Sequence, residues 1–196
     1  AKAITGVLEL IELVAESFRQ FGPFFIGIHG TLKDDLTIGI LGGEVGLAVF
    51  TADCIPIFIL DPHTCSIGII HAGWRGTYKF IATEAIQSMQ KHFGTNPANC
   101  LVHLGISIQQ SCYQVSQDLA DQFERHFGPD VRTSDNKLNL QTANVQQLVN
   151  AGVPFESISI SPLCTACRTD LFYSFRVEGQ SAGRLVSFIR LLPNSY

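Results

Sequence analysis

Residues Gly46–Thr77 read GLAVFTADCIPIFILDPHTCSIGIIHAGWRGT, and this stretch decides the fold. It contains two apolar runs rich in β-branched residues, Ile55–Leu60 and Ile67–Ile70, which are joined by the turn-forming sequence DPHT. This pattern predicts two antiparallel strands connected by a short turn. Residues at the outer ends of the two strands then become neighbours. We therefore expect Cys54 and His71 to lie close together.

A thiol that faces an imidazole is typical of two kinds of site. The two groups are ligands that suit Zn²⁺, and they also form a nucleophile with its general base. Asp53 and Arg75 flank the pair, and a planar guanidinium is a natural clamp for phosphate or carboxylate. His29 ends an earlier apolar run and would complete a set of three ligands with Cys54 and His71, which leaves a fourth metal position open. The structural alternatives are a histidine at a strand end for His29 and a surface ion pair for Arg75.

The composition excludes several classes of protein. A chain of 196 residues with 46% hydrophobic content can fill one domain. The net charge is −4 and the 13 lysines and arginines are scattered, so nucleic-acid binding is not expected. No apolar run approaches the roughly 20 residues that span a bilayer, and no secretory leader is visible. These observations favour a soluble cytoplasmic protein without membrane contact, whose six cysteines stay reduced.

Helical and strand patterns alternate along the chain. Apolar residues at helical spacing predict helices over about 8–21, 77–93, 116–127 and 142–151. Short apolar or alternating runs predict strands at about 24–28, 36–41, 45–50, 100–104, 138–140 and 158–160. Two further hairpins are predicted, one joining 36–41 to 45–50 through a Gly-Gly turn and one joining 171–175 to 185–191. The pattern predicts a single α+β domain over residues 1–196, built on a mixed sheet with helices on its faces.

Three polar features lie outside the central hairpin. Cys112 and Tyr113 lie in an irregular loop after the strand at 100–104, and such loops often carry binding sites. The CTAC sequence at 164–167 is a CxxC pair, for which we favour a structural or packing role and not membership of the zinc site. His103 is expected to be a core histidine with a satisfied hydrogen bond. Ser174 and Arg176 are placed where they could reach the same cleft as Cys54.

These segments together resemble a known family. They are TADCIP at 51–56, DP at 61–62, HAGWRG at 71–76, CTAC at 164–167 and FYSFR at 172–176. In this order and spacing they are similar to the multicopper polyphenol oxidoreductase, or laccase-domain, proteins. Members of that family have been described as zinc-dependent purine nucleoside phosphorylases with adenosine deaminase and methylthioadenosine phosphorylase activities. The resemblance implies a single-domain three-layer α/β/α sandwich around a mixed β-sheet.

The resemblance also implies roles for individual residues. Its metal ligands correspond to His29, Cys54 and His71, with Zn²⁺ as the expected metal and Cu²⁺ as the alternative. The expected partners are phosphate and purine nucleosides such as adenosine, inosine and methylthioadenosine. The residues expected to act on them are Asp53 as a proton carrier, Arg75 as the phosphate clamp, and Cys112, Tyr113, Ser174 and Arg176 as further substrate contacts.

The chain departs from the family pattern at three positions near these residues. Ile106 stands where the family usually has proline, Gln114 where it has glutamate, and Val177 where it often has arginine. These departures change the shape and charge of the loops that carry them. They predict a divergent member that keeps the metal and alters the substrate.

Three other functions remain open from the sequence. A copper-dependent phenol oxidase would need about ten histidines for its copper centres, and this chain has six. A metal-free hydrolase or deamidase would use Cys54 as nucleophile and His71 as base. A non-catalytic metal-binding module is the third alternative. The sequence also leaves open whether the protein is a monomer or a homodimer.

Overall fold

The computed structural model describes residues 37–42 and 46–191, with side chains from residue 46 onward. It contains seven strands in this part of the chain: β1 (Thr37–Gly42), β2 (Leu47–Thr51), β3 (Ile55–Asp61), β4 (Ser66–Ala72), β5 (Leu101–Leu104), β6 (Ile158–Ile160) and β7 (Leu185–Ile189). Five α-helices occur in the same residues: α1 (Trp74–Tyr78), α2 (Ile81–Phe93), α3 (Gln117–Phe127), α4 (Leu140–Asn150) and α5 (Phe175–Glu178). The predicted helix at 8–21, the predicted strand at 24–28 and His29 lie outside the described residues.

The strands form a five-stranded sheet in the order β1-β4-β3-β5-β6 and a two-stranded sheet of β2 and β7. Strands β5 and β6 are parallel and the other pairs are antiparallel. The larger sheet is therefore mixed, as predicted, and the fold is α+β. No helix within 37–42 and 46–191 is long and apolar enough to cross a membrane.

The central hairpin forms as predicted. Strands β3 and β4 pair from Ile55 opposite Ala72 to Asp61 opposite Ser66. The Asp61 carboxylate accepts hydrogen bonds from the backbone N–H groups of His63 at 2.9 Å and Thr64 at 3.4 Å. Burial alone would raise the pKa of Asp61, but the hydrogen bonds from the turn outweigh it, and the pKa of this carboxyl is lowered. The buried aspartate thus fixes the tight turn that sets the register.

Side chains of the hairpin alternate between two hydrophobic layers. Ile55, Ile57 and Ile59 of β3 pack in a large core with residues of helices α2, α3 and α4. On the opposite face Ile67 and Ile69 of β4 pack against Leu47, Val49 and other apolar residues of the two-stranded sheet. A strand buried on both faces reads as a continuous apolar run, which explains the composition of this stretch.

Two predicted helices differ from the structure: one is divided in two and the other begins earlier. The helix expected over 77–93 is two helices, α1 and α2, because Phe80 has a left-handed backbone (φ 59°) and interrupts the hydrogen-bond series. The Phe80 ring packs on Phe127 of α3 with ring centroids 5.4 Å apart. Helix α4 begins two residues earlier than predicted because Asn139 caps it, accepting from the Thr142 N–H at 2.9 Å. The strand predicted at 138–140 is consequently reduced to isolated bridges.

The predictions of both further hairpins are wrong. Strand β1 pairs with β4 and strand β2 pairs with β7, so β1 and β2 belong to different sheets. The segment 171–175 is not a strand; Ser174 precedes the short helix α5, and its N–H donates to the Glu178 carboxylate at 2.8 Å. The core position expected for His103 is also wrong, because its side chain is exposed and bonds to the Ser159 hydroxyl at 2.8 Å.

Candidate active site

The register of the central hairpin brings Cys54 and His71 to the same end of strands β3 and β4. His71 lies opposite Pro56 on β3, and Cys54 is two residues before Pro56. The Cys54 sulfur lies against Gly73, just after β4, since a β-carbon added at Gly73 would lie only 2.9 Å from it. Both Cys54 and His71 are half-buried. Cys54 and His71 thus lie at the same end of the two strands. His29 lies outside the described residues.

Asp53 joins three parts of the chain beside Cys54. It is buried, at 8% exposure, and its backbone is left-handed with φ 79°. One carboxylate oxygen accepts from the Thr165 hydroxyl and the other from the Arg176 backbone N–H, both at 2.6 Å. Its carbonyl accepts from the Ile108 N–H at 2.9 Å. Because two strong bonds engage the side chain, Asp53 fixes the loops of Thr165 and Arg176 against Cys54.

The guanidinium of Arg176 is directed at the loop that carries Tyr113. It donates to the backbone carbonyl of Gln114 at 2.7 Å and to that of Cys112 at 3.5 Å, and it lies 5.0 Å from the centre of the Tyr113 ring. A planar guanidinium suits both kinds of contact at once. Arg176 therefore anchors this loop, whatever part it also plays in binding substrate.

Tyr113 is held in its protonated form. Its pKa is raised to about 12, first by burial, then by the nearby Cys54, with Arg176 opposing the shift and Asp53 adding to it. These influences place the phenol among the predicted site residues. At neutral pH the phenol is a hydrogen-bond donor that carries no charge.

Ser174 contributes a buried hydroxyl with no hydrogen-bond partner among the described residues. The residue is 0% exposed and its Oγ is fully enclosed. The same holds for the Thr51 hydroxyl, in the segment that leads to Asp53. Leaving a buried polar group unpaired costs about 1–3 kcal/mol, which makes such groups candidates for a ligand contact.

Arg75 lies at the rim of this region. It is on the first turn of α1, two residues after Gly73, and its side chain is exposed. Its guanidinium carbon lies 4.8 Å from the centre of the Trp74 ring. The structure thus brings Asp53, Cys54, Tyr113 and Arg176 together. Arg75 lies on α1, the helix that follows the His71 strand.

A cluster of three thiols lies next to this site and was not predicted. The sulfur atoms of Cys112, Cys164 and Cys167 all lie within 4.8 Å of one another, an arrangement that could hold a metal ion. All six cysteines are among the described residues, and none forms a disulfide. The sequence signal was the CxxC pair, but its third member lies on a distant loop.

Thr165 and Gln141 are further residues that sequence reasoning missed. Thr165 is fully buried and binds Asp53, as described above. Gln141, on α4, donates to the Ser107 hydroxyl and to the Ile108 carbonyl, both at 2.9 Å. These bonds hold the loop after β5 in place. For Thr165 the available sequence signal was its position inside the CTAC sequence, and for Gln141 there was none.

An open cavity of about 350 Å³ lies elsewhere, along strands β3, β5 and β6. Phe58, Leu101, His103 and Ser159 are among the residues that line it, and none of the predicted site residues does so. The side chains with the chemistry of an active site converge around Cys54, outside this cavity.

Comparisons with known proteins found similar sequences and solved structures. Residues 42–192 match the family model described as multi-copper polyphenol oxidoreductase laccase. The chain is 36% identical over 169 residues to a protein of Bacillus subtilis named purine nucleoside phosphorylase YlmD, covering 82% of this chain and 60% of that protein. It is 34% identical over 158 residues to adenosine deaminase RL5 from an unknown prokaryotic organism, covering 77% of this chain and 59% of that protein.

A solved structure shows the same fold. The crystal structure of Bacillus licheniformis hypothetical protein YfiH superposes with a TM-score of 0.75 at 33% identity, covering 79% of this chain and 61% of that protein. The chain therefore spans about three fifths of the length of the proteins it matches.

Proposed function

Because the chain belongs to the multi-copper polyphenol oxidoreductase laccase family, we propose that it is a zinc-dependent purine nucleoside phosphorylase. The proposed substrates are phosphate and adenosine, inosine or methylthioadenosine, and adenosine deamination is a proposed second activity. The observation that carries the proposal is the convergence of Asp53, Tyr113 and Arg176 on the Cys54 end of the hairpin. The names of the relatives in Bacillus subtilis and the unknown prokaryote support the reaction types.

The donor set at the end of the hairpin fits a zinc ion. One thiol and one imidazole at the same end of the hairpin are ligands of the kind that zinc accepts, and His29 is the proposed third ligand. Copper is the alternative metal. When bound by these residues, the ion would supply Lewis acidity to the reaction.

Phosphorolysis requires that an anion be held next to the sugar. We propose that Arg75 binds phosphate, because its guanidinium is exposed and lies on the connection that follows His71. A phosphate oxygen forms a bond with the anomeric carbon while the bond from that carbon to the purine nitrogen breaks. The departing purine takes the bonding electron pair and receives the proton that the attacking phosphate gives up. The buried hydroxyl of Ser174 is a proposed contact for the substrate.

The phenol of Tyr113 suits a role with the purine. Since its pKa is about 12, it stays protonated at neutral pH and can donate a hydrogen bond to a ring nitrogen or carbonyl. Arg176 would hold Tyr113 in place through the carbonyls on either side of it. Cys112, next to Tyr113, is the remaining proposed contact on this loop.

Asp53 supports these residues mainly as a positioning group. Both carboxylate oxygens already accept hydrogen bonds, from Thr165 and from the backbone of Arg176. A role as proton carrier in deamination would require that one of these donors release it. We therefore propose that Asp53 orients Arg176 during phosphorolysis and moves a proton only in deamination.

A metal-free hydrolase or deamidase is the second candidate function. It would use the Cys54 thiol as nucleophile and the His71 imidazole as base, and the position of both residues at one end of the hairpin supports it. A copper phenol oxidase has less support. Among the residues that the structure describes, the one group of three or more potential metal ligands consists of cysteines alone, without a histidine cluster.

Release of purine base from adenosine, inosine and methylthioadenosine, with and without phosphate, tests the proposal. We expect release that requires phosphate, that produces a sugar phosphate, and that is lost in Cys54→Ala but retained in the matched control Cys65→Ala. Release in the absence of phosphate, with free ribose as product, would favour a hydrolase. Lack of turnover by the zinc-loaded protein on all three nucleosides would contradict the phosphorylase assignment.

A further inference from the structure

Cys112, Cys164 and Cys167 come together from two separate loops. Cys112 ends a short turn after β5, and the other two flank the CTAC turn that follows β6. The three sulfur atoms lie within 4.8 Å of one another, with those of Cys112 and Cys167 at 3.2 Å. Sulfur atoms bound to a tetrahedral zinc at about 2.3 Å lie roughly 3.8 Å apart. The cluster therefore has the spacing of a metal site, and small side-chain rotations would complete it.

The backbone holds this arrangement without a metal. The N–H of Gln109 donates to the Cys164 sulfur at 3.4 Å, the kind of bond that stabilises a thiolate ligand. The Thr165 N–H donates to the Ser107 carbonyl at 3.2 Å, and Ser107 and Cys164 form a parallel bridge. The two loops are thus tied together on both sides of the buried Cys164. A preformed site lowers the cost of ordering the ligands when an ion binds.

The exposed thiol of Cys167 leaves a route by which an ion can reach the cluster. Cys164 is buried, Cys112 is half-buried and Cys167 is exposed. An ion could enter from the side of Cys167, and its fourth position would face solvent or a small ligand. Three thiolates form a soft donor set, which selects zinc over magnesium or calcium.

We propose that Cys112, Cys164 and Cys167 bind a zinc ion at a second site, separate from the one formed with Cys54 and His71. Binding converts thiols into metal-bound thiolates and releases their protons to solvent. No electron transfer is involved. The ion would fix the Thr165 side chain between two of its ligands, and Thr165 in turn holds Asp53. The second site would therefore stabilise the candidate active site from the side opposite the hairpin.

Cobalt titration tests this proposal without relying on enzyme activity. Co²⁺ replaces Zn²⁺ and gives an ultraviolet charge-transfer band whose strength follows the number of bound thiolates. The protein is stripped of metal, kept reduced and titrated as wild type and as Cys54→Ser, Cys167→Ser and Cys65→Ser. Cys167 is exposed, so its substitution should leave the fold intact, which circular dichroism checks.

We expect Cys54→Ser to keep most of the charge-transfer band. Cys167→Ser should lose a large part of the band and bind cobalt at least tenfold more weakly. Cys65→Ser should match wild type. Cys65 is a suitable control because it lies in the β3–β4 turn and contacts only the Pro62 carbonyl, at 3.7 Å, among the described hydrogen bonds. A band that vanishes in Cys54→Ser and is unchanged in Cys167→Ser would overturn the second site. That result would leave the proposed phosphorylase activity untouched, so the two proposals fail independently.

Discussion

The carboxylate of Asp53 accepts a 2.6 Å hydrogen bond from the hydroxyl of Thr165, although the two residues are 112 positions apart in the chain. Its second oxygen accepts from the backbone of Arg176. A single buried side chain thus joins the central hairpin to the CTAC turn and to the short helix α5. The geometry of the candidate active site depends on this junction.

Asp53→Asn should disrupt the junction more than loss of either single partner. The amide oxygen can still accept from the Arg176 N–H while the NH₂ group donates to the Thr165 hydroxyl, but both bonds lose the charge of the carboxylate, which makes such bonds roughly twice as strong. We expect about 1–3 kcal/mol lower free energy of unfolding, together with reduced turnover. Thr165→Val removes one of the two bonds and should cost about 1 kcal/mol. Urea unfolding measures both, and equal stability of Asp53→Asn and wild type would contradict this role.

Gly73→Ala should displace the Cys54 side chain, which lies against Gly73 just after β4. The new methyl group would lie 2.9 Å from the Cys54 sulfur, closer than side-chain contacts allow. We expect at least tenfold weaker zinc binding at the first site. Gly94→Ala is the control, because its methyl group meets open space and adds only backbone strain at φ 68°. Isothermal titration with zinc compares them in a Cys167→Ser background, which weakens the second site. Unchanged affinity of the first site in Gly73→Ala would contradict the assignment of Cys54 as a ligand.

Arg176→Lys should loosen the loop that carries Tyr113. An ammonium cannot donate to the Cys112 and Gln114 carbonyls with the planar geometry of the guanidinium. We expect kcat/KM to fall by about tenfold, equivalent to about 1.4 kcal/mol of transition-state stabilisation. Arg168→Lys is the matched control, because Arg168 pairs with Asp170 in an exposed ion pair of little energetic value. Equal losses in both variants would argue against an anchoring role for Arg176.

Asp61 should make the hairpin sensitive to acid. Its pKa is lowered in the folded protein, despite burial, by hydrogen bonds from the turn. Because the folded pKa lies below that of an unfolded aspartate, its stabilisation is complete above the unfolded value and is lost as pH falls through the folded value. Asp61→Asn should therefore lower the melting temperature at pH 7, with a smaller difference from wild type in acid. A difference independent of pH would contradict this cause.

Local signals in the sequence were sufficient for the hairpin and for several helix ends. Strands β3 and β4 are adjacent in the chain and separated by turn formers, so their pairing required no distant information. Ser116, as a helix-capping residue, and the apolar residues at helical spacing after it likewise predicted α3, and the Ser116 hydroxyl accepts from the Leu119 N–H at 3.4 Å. In these cases the interaction lies within a few residues of the signal.

Pairings over long distances could not be predicted in the same way. The sequence pattern of β1 and β2 is typical of strands, but such a pattern does not specify the partner strand. In the structure β1 pairs with β4, and β2 pairs with β7. The contact of Thr165 with Asp53 and the approach of Cys112 to the CTAC cysteines depend on the packing of loops after β5 and β6. The family resemblance named most of the candidate site residues, but neither of these contacts.

The most direct test of the account is the zinc content of wild type and Cys54→Ala, purified without chelators or metal affinity resin, measured together with phosphate-dependent release of base from adenosine and inosine. The account predicts that Cys54→Ala loses one equivalent of zinc relative to wild type and loses base release with it. A wild-type protein that holds no metal and still turns over would contradict the metal-dependent mechanism and would point to Cys54 and His71 as a nucleophile and its base.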